Sequence, residues 1–151
     1  MTPNIPQCFY RVSIKALILD ETKSKFLIGL SKNGKWSLLG GGLNWGETIN
    51  ECLSRELKEE TGLEVISCNP SAAYFIPGKR SDGDWAINVI HEAVVKDLNI
   101  TPSDECVETR FVSAHEAGEL NSSIGLQLFA RVFDSTLHKR FRRSKDPRGE
   151  F

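Results

Sequence analysis

The chain has 151 residues, of which 40% are apolar and 26% charged, as is ordinary for one folded domain. A chain of this length can bury a core without disulfides or a structural metal, and its composition excludes the collagen-like, coiled-coil and disordered classes. No apolar run approaches the roughly 20 residues that cross a bilayer, and the first residues lack the layout of a signal peptide. We therefore expect a cytoplasmic protein without membrane contact.

Charge is unevenly distributed along the chain. Residues 138–151 hold six of the 19 basic but only two of the 20 acidic residues, which leaves a net charge of about −5 on residues 1–137. We expect residues 1–137 to form one domain and residues 138–151 to form a basic tail. A solvated, flexible tail is favoured over one that binds nucleic acid. The four cysteines form no Cys-x-x-Cys pair, so we expect reduced thiols.

Apolar runs predict three strands in the first third of the chain. Tyr10 to Leu19 and Lys25 to Leu30, separated by the turn-forming residues 20–24, predict a β-hairpin. A third strand is expected at Trp36 to Leu39, before a glycine-rich loop at residues 40–42.

The next element is predicted to be a helix from Thr48 to Thr61, closed by Gly62 in the left-handed conformation. Further strands are expected at Leu63–Ile76, Ala86–Lys96 and Thr109–Ser113, and further helices at Ala114–Leu120 and Leu126–Leu137. Strands and helices mix without a regular β-α-β alternation. This order predicts an α+β fold in which helices cover a mixed sheet.

The predicted helix carries carboxylates on the face that should be buried. Cys52 and Leu53 mark its apolar stripe, and steps of three and four continue the stripe to Glu56 and Glu60, with Glu59 beside them. Like charges within one turn repel one another, and the negative end of the helix dipole adds to the cost. Mg²⁺ would compensate, because it prefers oxygen ligands and shares its coordination with substrate phosphates. The alternative is an acidic surface helix whose glutamates point to water.

A longer pattern surrounds these glutamates and favours the metal site. Gly41 is followed after five residues by Glu47, and after seven more by the run R-E-L-K-E-E-T-G-L at residues 55–63. Every fixed position matches the Nudix box, G-x5-E-x7-R-E-U-x-E-E-x-G-U, in which U is bulky and apolar. The chain therefore resembles the Nudix hydrolase family, over about residues 8–137. The resemblance implies a three-layer α/β/α sandwich with a mixed sheet.

The resemblance also implies roles for single residues. It implies a site for Mg²⁺ or Mn²⁺ whose ligands are the carbonyl of Gly40 and the side chains of Glu56, Glu59 and Glu60. Arg55 would orient a glutamate through a bidentate ion pair, and Glu47 would support the loop and the helix. The family often has proline before the glycines, where this chain has Leu39, so loop rigidity is not implied.

The reaction implied by the resemblance is hydrolysis of a nucleoside diphosphate linked to another group, with water as the nucleophile. Glu56 is the first candidate to accept the proton of that water. Glu105 and Glu108, in the acidic stretch before Phe111, are the alternatives, and we rank Glu56 ahead of Glu108.

Substrate identity is less constrained. The chain lacks the added signatures of the coenzyme A and NADH subclasses, so a nucleoside triphosphate, cleaved to monophosphate and pyrophosphate, is the preferred prediction. Pro77 lies fourteen residues past Leu63 and keeps ADP-ribose or a nucleotide sugar as the alternative, although Pro77-Gly78 also predicts a turn. A catalytically idle module that binds a nucleotide or RNA is the third. We expect a nucleotide partner and no nucleic acid, while a monomer and a homodimer both fit the sequence.

Two sets of side chains are further candidates for contact with a nucleotide. Those that could stack on a base are Trp45, Tyr74, Phe75 and Trp85, and the competing expectation is that they belong to the core. Those that could meet phosphates are Lys32, Lys35, Lys79 and Arg80, and the competing expectation is that they are solvated loop charges.

Overall fold

The computed structural model describes residues 9–139, which form eight strands and four helices. In chain order these are β1 (Arg11–Leu17), β2 (Phe26–Leu30), β3 (Trp36–Leu38), β4 (Gly40–Gly42), α1 (Ile49–Thr61), β5 (Val65–Cys68), β6 (Tyr74–Lys79), β7 (Trp85–Val95), β8 (Glu108–Val112), α2 (Ala114–Gly118), α3 (Ile124–Val132) and α4 (Ser135–Lys139). No helix in this part of the chain is long and apolar enough to span a membrane. The three cysteines within it are buried.

Strand β1 lies at the centre of the larger sheet. It pairs antiparallel with β4 and parallel with β7, and β7 also pairs with β5 and β6. A second, antiparallel sheet has the order β3-β2-β8. The predicted hairpin forms only next to its turn, where Leu19 pairs antiparallel with Phe26 and the Leu27 N–H donates to the Ile18 carbonyl at 2.9 Å. Strand β1 itself does not pair with β2, because both of its edges pair with β4 and β7.

Helices cover both faces of the larger sheet. Ile14 and Ala16 of β1 point toward α1 and pack in one core with Leu53 and Leu57. Leu17 belongs to the other core, which contains Phe129 of α3. This α/β/α layering confirms the predicted α+β sandwich with a mixed sheet.

The segment predicted as strand between Leu63 and Ile76 is divided in two. A turn interrupts it after β5, where the Asn69 side chain accepts a hydrogen bond from the Ser71 N–H at 3.0 Å. Pro77 lies within β6 and pairs with Ile87, so the predicted Pro77-Gly78 turn is wrong. An edge strand such as β6 tolerates proline because one side of its ladder is unpaired.

The helix predicted at Leu126–Leu137 is also divided. Ser123 caps α3, which ends before Phe133, whose backbone is extended. The Asp134 side chain then accepts from the N–H of Thr136 at 2.9 Å and begins α4. α4 carries His138 into contact with Tyr74, so the folded unit continues through residue 139. The rest of the expected tail, residues 140–151, lies outside the described residues.

The glycine triplet forms a strand rather than the predicted loop. Gly40, Gly41 and Gly42 pair with Lys15, Ile14 and Ser13 of β1. Gly40 has a φ of +123°, and a Cβ there would lie 2.2 Å from the carbonyl oxygen of Ile14. Only glycine fits this position, because a side chain would meet the backbone of the neighbouring strand.

Candidate active site

Helix α1 is defined by local signals at both ends. The Thr48 side chain accepts from the N–H of Glu51, and the Glu51 side chain accepts from the N–H of Thr48, a complete capping box. Gly62 ends the helix with a φ of 72°. Cys52, Leu53 and Leu57 are buried along one face, which confirms the predicted helix. These anchors set the direction in which the glutamates of the last turns project.

Arg55 joins α1 to the segment before it. Its Nε and Nη2 donate to the two carboxylate oxygens of Glu47, and Nη2 also donates to the Gly42 carbonyl at 3.0 Å. Nη1 donates to Glu56 at 2.7 Å and to Glu59 at 3.4 Å. The hydrogen bonds from Arg55 lower the pKa of Glu47 to about 2, because they favour the ionised carboxylate. The loop at residues 43–47 is thereby tied to the helix.

Glu56 lies directly over the glycine strand. Its side chain is 13% exposed, and a Cβ on Gly41 would lie 2.5 Å from its carboxylate carbon. The carboxylate therefore occupies the space that glycine leaves free. Glu59, one turn further along α1, is 58% exposed.

Gly40 is hydrogen-bonded by two opposite charges. Its N–H donates to Glu60 at 3.1 Å, and its carbonyl accepts from the ammonium of Lys15 at 2.8 Å. Burial raises the pKa of Glu60 to about 7, because the attraction of Lys15 and the bond from Gly40 only partly offset the loss of hydration. Burial likewise lowers the pKa of Lys15, against the attraction of Glu60 and Glu56.

The donor set at this place is the one that a hard divalent ion prefers. Carboxylate oxygens of Glu56, Glu59 and Glu60 and the carbonyl of Gly40 come from one helix and the adjoining strand. No three acidic, histidine or cysteine side chains within residues 9–139 already converge on an ion site. Arg55 holds Glu56, and Lys15 binds the Gly40 carbonyl. The donor set thus fits Mg²⁺ or Mn²⁺, while the ammonium of Lys15 occupies one of the donors, the Gly40 carbonyl.

A cleft of about 430 Å³ adjoins the glycine strand. Its floor is the sheet face that carries Ser13 of β1 and Asn88 of β7, and the first residues of α3 form part of its wall. The charged side chains that line it are Arg11, Lys15, Lys35, Lys79 and Arg80. No acidic side chain among the described residues lines it, so the cleft attracts anions.

Comparison with known proteins identifies the family. The family model of the NUDIX domain matches residues 9–132. The chain belongs to the Nudix family. Within the solved structures, the MutT protein from Methanosarcina mazei has a TM-score of 0.68 at 25% identity, covering 87% of this Nudix chain and 96% of that protein. A Nudix hydrolase from Clostridium perfringens shares the fold, with a TM-score of 0.62 at 22% identity, and covers 82% and 95% of the two chains.

Two curated relatives are named for their functions. An mRNA-decapping protein of Variola virus is 38% identical over 95 residues, which is 58% of this Nudix chain and 37% of that protein. The nucleoside triphosphatase NudI of Salmonella paratyphi B is 32% identical over 91 residues, which is 55% of this chain and 64% of that protein. The chain therefore spans less than two thirds of the length of either relative.

The other predicted contact residues are scattered over the Nudix fold. Glu108 is 52% exposed and pairs with Arg110, whereas the charge of Glu105 acts on Glu60. Lys32 pairs with Asp104 and does not line the cleft, unlike the other three predicted cations.

The predicted aromatic residues differ in burial. Tyr74 packs edge-on against Phe129, so it belongs to the core and not to a base-stacking surface. Trp45 and Phe75 are exposed. Trp85 is half-exposed and contacts Tyr10 with ring centroids 6.2 Å apart.

Sequence reasoning missed the polar side of β1. Arg11, Ser13 and Lys15 alternate with Val12 and Ile14. Alternation with a period of two predicts one polar and one apolar face, and was the available signal. The parallel pairing with β7 sets Asn88 opposite Ser13, and no local pattern predicts that neighbour.

Proposed function

We propose that this Nudix chain is a divalent-metal-dependent pyrophosphohydrolase that acts on a nucleoside diphosphate linked to another group, with a nucleoside triphosphate as the preferred substrate. One observation carries the proposal. The carboxylates of Glu56 and Glu60 meet the glycine strand beside a cleft whose charged side chains are all cationic. Such a cleft attracts a polyphosphate anion. Hydrolysis of a polyphosphate needs a hard divalent cation, and the carboxylate oxygens of Glu56 and Glu60 are ligands that such a cation prefers.

The residues divide the work as follows. Glu56, Glu59, Glu60 and the Gly40 carbonyl would hold the ions, and a bound divalent ion supplies charge neutralisation and lowers the pKa of water. Glu56 would accept the proton of the attacking water, oriented by Arg55 at 2.7 Å. Glu47 holds Arg55 in place. Should Glu56 not be the base, Glu105 is better placed than Glu108, because its charge reaches Glu60.

Several observations support a triphosphate over the alternatives. The chain lacks the NADH and coenzyme A signatures, and one relative is named a nucleoside triphosphatase. Pro77, the residue that suggested ADP-ribose, is exposed and does not line the cleft. Arg11, Lys35, Lys79 and Lys15 do line it and offer several cations to a chain of phosphates.

A panel of substrates tests the proposal. Nucleoside triphosphates, ADP-ribose and nucleotide sugars are each incubated with Mg²⁺ and with Mn²⁺, and the products are identified by mass. We expect triphosphates to turn over fastest and to yield monophosphate and pyrophosphate. In ¹⁸O-labelled water, the label shows whether the α or the β phosphorus is attacked. Faster turnover of ADP-ribose or a nucleotide sugar would overturn the triphosphate choice, and no turnover of any substrate would overturn the enzyme assignment.

A second candidate substrate is the 5′ end of RNA. Tyr10 and Trp85 immediately precede the cleft-lining residues Arg11 and Ala86 and form an exposed aromatic pair beside Lys79. Aromatic rings beside cations are the usual platform for single-stranded nucleic acid, and one relative is named an mRNA-decapping protein. Adding capped RNA to the panel separates the two. Preference for RNA, lost in Trp85→Ala but not in Phe75→Ala, would favour this candidate.

A further inference from the structure

Lys15 places a positive charge beside the proposed cation site, where a further cation is unexpected. It extends from the central strand β1, and its ammonium donates a hydrogen bond of 2.8 Å to the carbonyl of Gly40. That carbonyl is one of the oxygens that the proposed metal site uses. Lys15 also interacts electrostatically with Glu60 and Glu56, the two carboxylates closest to the glycine strand.

We propose that Lys15 is an internal counter-cation that competes with the divalent ion for the Gly40 carbonyl and for the negative charge of Glu56 and Glu60. The inference rests on the proposed metal site but concerns a residue outside the Nudix box. The ammonium and a divalent ion cannot both occupy the same face of one carbonyl oxygen, and like charges at such short range repel. A divalent ion that approaches the face of the Gly40 carbonyl now bound by the ammonium therefore competes with Lys15.

The displaced ammonium has a polar space to enter. Lys15 lines the cleft, where Ser13 precedes it on the same face of β1 and Asn88 lies on the adjacent strand. A lysine side chain has four rotatable bonds, so its ammonium can swing into the cleft without movement of β1. Repulsion from Arg80, whose charge acts on Lys15, makes this position favourable mainly when an anion is present there.

Metal affinity tests the competition directly. Mn²⁺ binding is measured by electron paramagnetic resonance at pH 8 for the intact chain and for Lys15→Met, which keeps the length of the side chain but removes its charge. We expect Lys15→Met to bind Mn²⁺ more tightly, on the order of tenfold. Lys35→Met is the matched control, because it removes another cleft-lining lysine that has no contact with Gly40, and its affinity should stay within about twofold of the unmodified chain.

A second variant and a measurement on the unmodified chain keep the test valid if Lys15→Met does not fold. Lys15→Gln keeps a hydrogen-bond donor for the Gly40 carbonyl without the charge and should also tighten Mn²⁺ binding. In the unmodified chain, lysine acylation mapped by mass spectrometry should show that Mg²⁺ increases the reactivity of Lys15 while leaving that of Lys35 unchanged.

The outcomes separate this inference from the proposed function. Equal or weaker Mn²⁺ affinity in the Lys15 variants, or Lys15 reactivity that Mg²⁺ leaves unchanged or lowers, would overturn the competition while leaving the metal site intact. Absence of Mn²⁺ binding in the unmodified chain and in every variant would instead overturn the metal site itself, and the counter-cation role with it.

Discussion

At the scale of single residues, Gly40 is hydrogen-bonded by two opposite charges, those of Glu60 and Lys15. A carboxylate that is partly removed from water is less stable when ionised, and Lys15 offsets only part of that cost for Glu60. Glu47 shows the opposite case, because it is held by the guanidinium of Arg55 and its pKa falls to about 2. Within one site, Glu47 therefore loses its proton at a lower pH than an ordinary glutamate does, and Glu60 at a higher pH.

The substitution Glu60→Gln tests the raised pKa of Glu60. The pKa of Glu60 is raised from 4.5 to about 7 on folding, so the folded chain binds a proton more tightly than the unfolded chain does. Without metal, stability should therefore fall as the pH rises from about 4.5 to 7, by on the order of 3 kcal/mol. Glutamine cannot lose a proton, so the variant should be the more stable protein at pH 8 and nearly equal to the unmodified chain at pH 4.5. Urea unfolding in EDTA at both pH values measures this.

The same variant should lose most of its activity while its fold is retained, because one anionic ligand is removed and the shape is kept. The contribution of Glu47 to stability changes only at pH values below its ordinary pKa, whereas that of Glu60 changes above it. Glu47 therefore does not disturb the comparison between the two proteins. Turnover equal to that of the unmodified chain at saturating Mg²⁺ would contradict the metal-ligand role of Glu60. A stability difference that is the same at both pH values would contradict its raised pKa.

At the scale of elements, strand β4 and helix α1 act as one unit. The three glycines allow the strand to lie against β1 on one side and against the glutamates on the other. A Cβ at Gly40 would meet backbone, whereas a Cβ at Gly41 would meet the end of the Glu56 side chain. Adjacent glycines in one strand therefore serve different purposes.

Alanine at each of these positions should have a different effect. Gly40→Ala should cost at least about 2 kcal/mol of unfolding free energy, because the β1–β4 pairing must open. Gly41→Ala should cost less than about 1 kcal/mol but reduce kcat/KM on the order of 100-fold, because Glu56 is displaced. Gly118→Ala is the control, since nothing lies within 4 Å of its Cβ position. Equal loss of stability in the first two variants would contradict this division.

At the scale of the whole molecule, opposite charges gather around strands β1 and β4. The carboxylates of α1 lie on one side of strands β4 and β1, and the cleft with its cations adjoins the same strands. Residues 1–137 have a net charge of about −5, so the cationic cleft is a local exception on an acidic body. A metal that binds the glutamates would also relieve part of the repulsion within that body.

Mg²⁺ should therefore stabilise the folded chain by mass action. At about 100 times the dissociation constant, the gain is about 2.7 kcal/mol, which raises Tm by about 5–10 °C for a chain of this size. Scanning calorimetry with millimolar MgCl₂, against KCl at equal ionic strength, measures the shift, and Glu60→Gln should reduce it. An unchanged Tm at millimolar Mg²⁺ would count against a site that is formed in the folded chain.

The sequence by itself determined α1, its C-terminal cap at Gly62 and the order of its glutamates, because capping and i, i+3 and i+4 spacing act within one helix. It also predicted the layered fold class. Strand pairing was decided only by the tertiary structure: β1 joins β7, 70 or more residues away, instead of pairing with β2. Pairing depends on which edge is free and which face is buried, and neither is a local property.

The same distinction applies to the site. Helical spacing was enough to predict that Glu56, Glu59 and Glu60 lie on one side of α1, whereas the roles of Arg55 and Glu47 were expected from the resemblance to the Nudix box. Lys15 lies 25 residues before Gly40 and reaches its carbonyl only because β1 and β4 are neighbours in the sheet. The cleft likewise collects side chains from β1, β6, β7 and α3. Charges brought together by long-range pairing cannot be recognised from spacing, since their proximity is created by the fold itself.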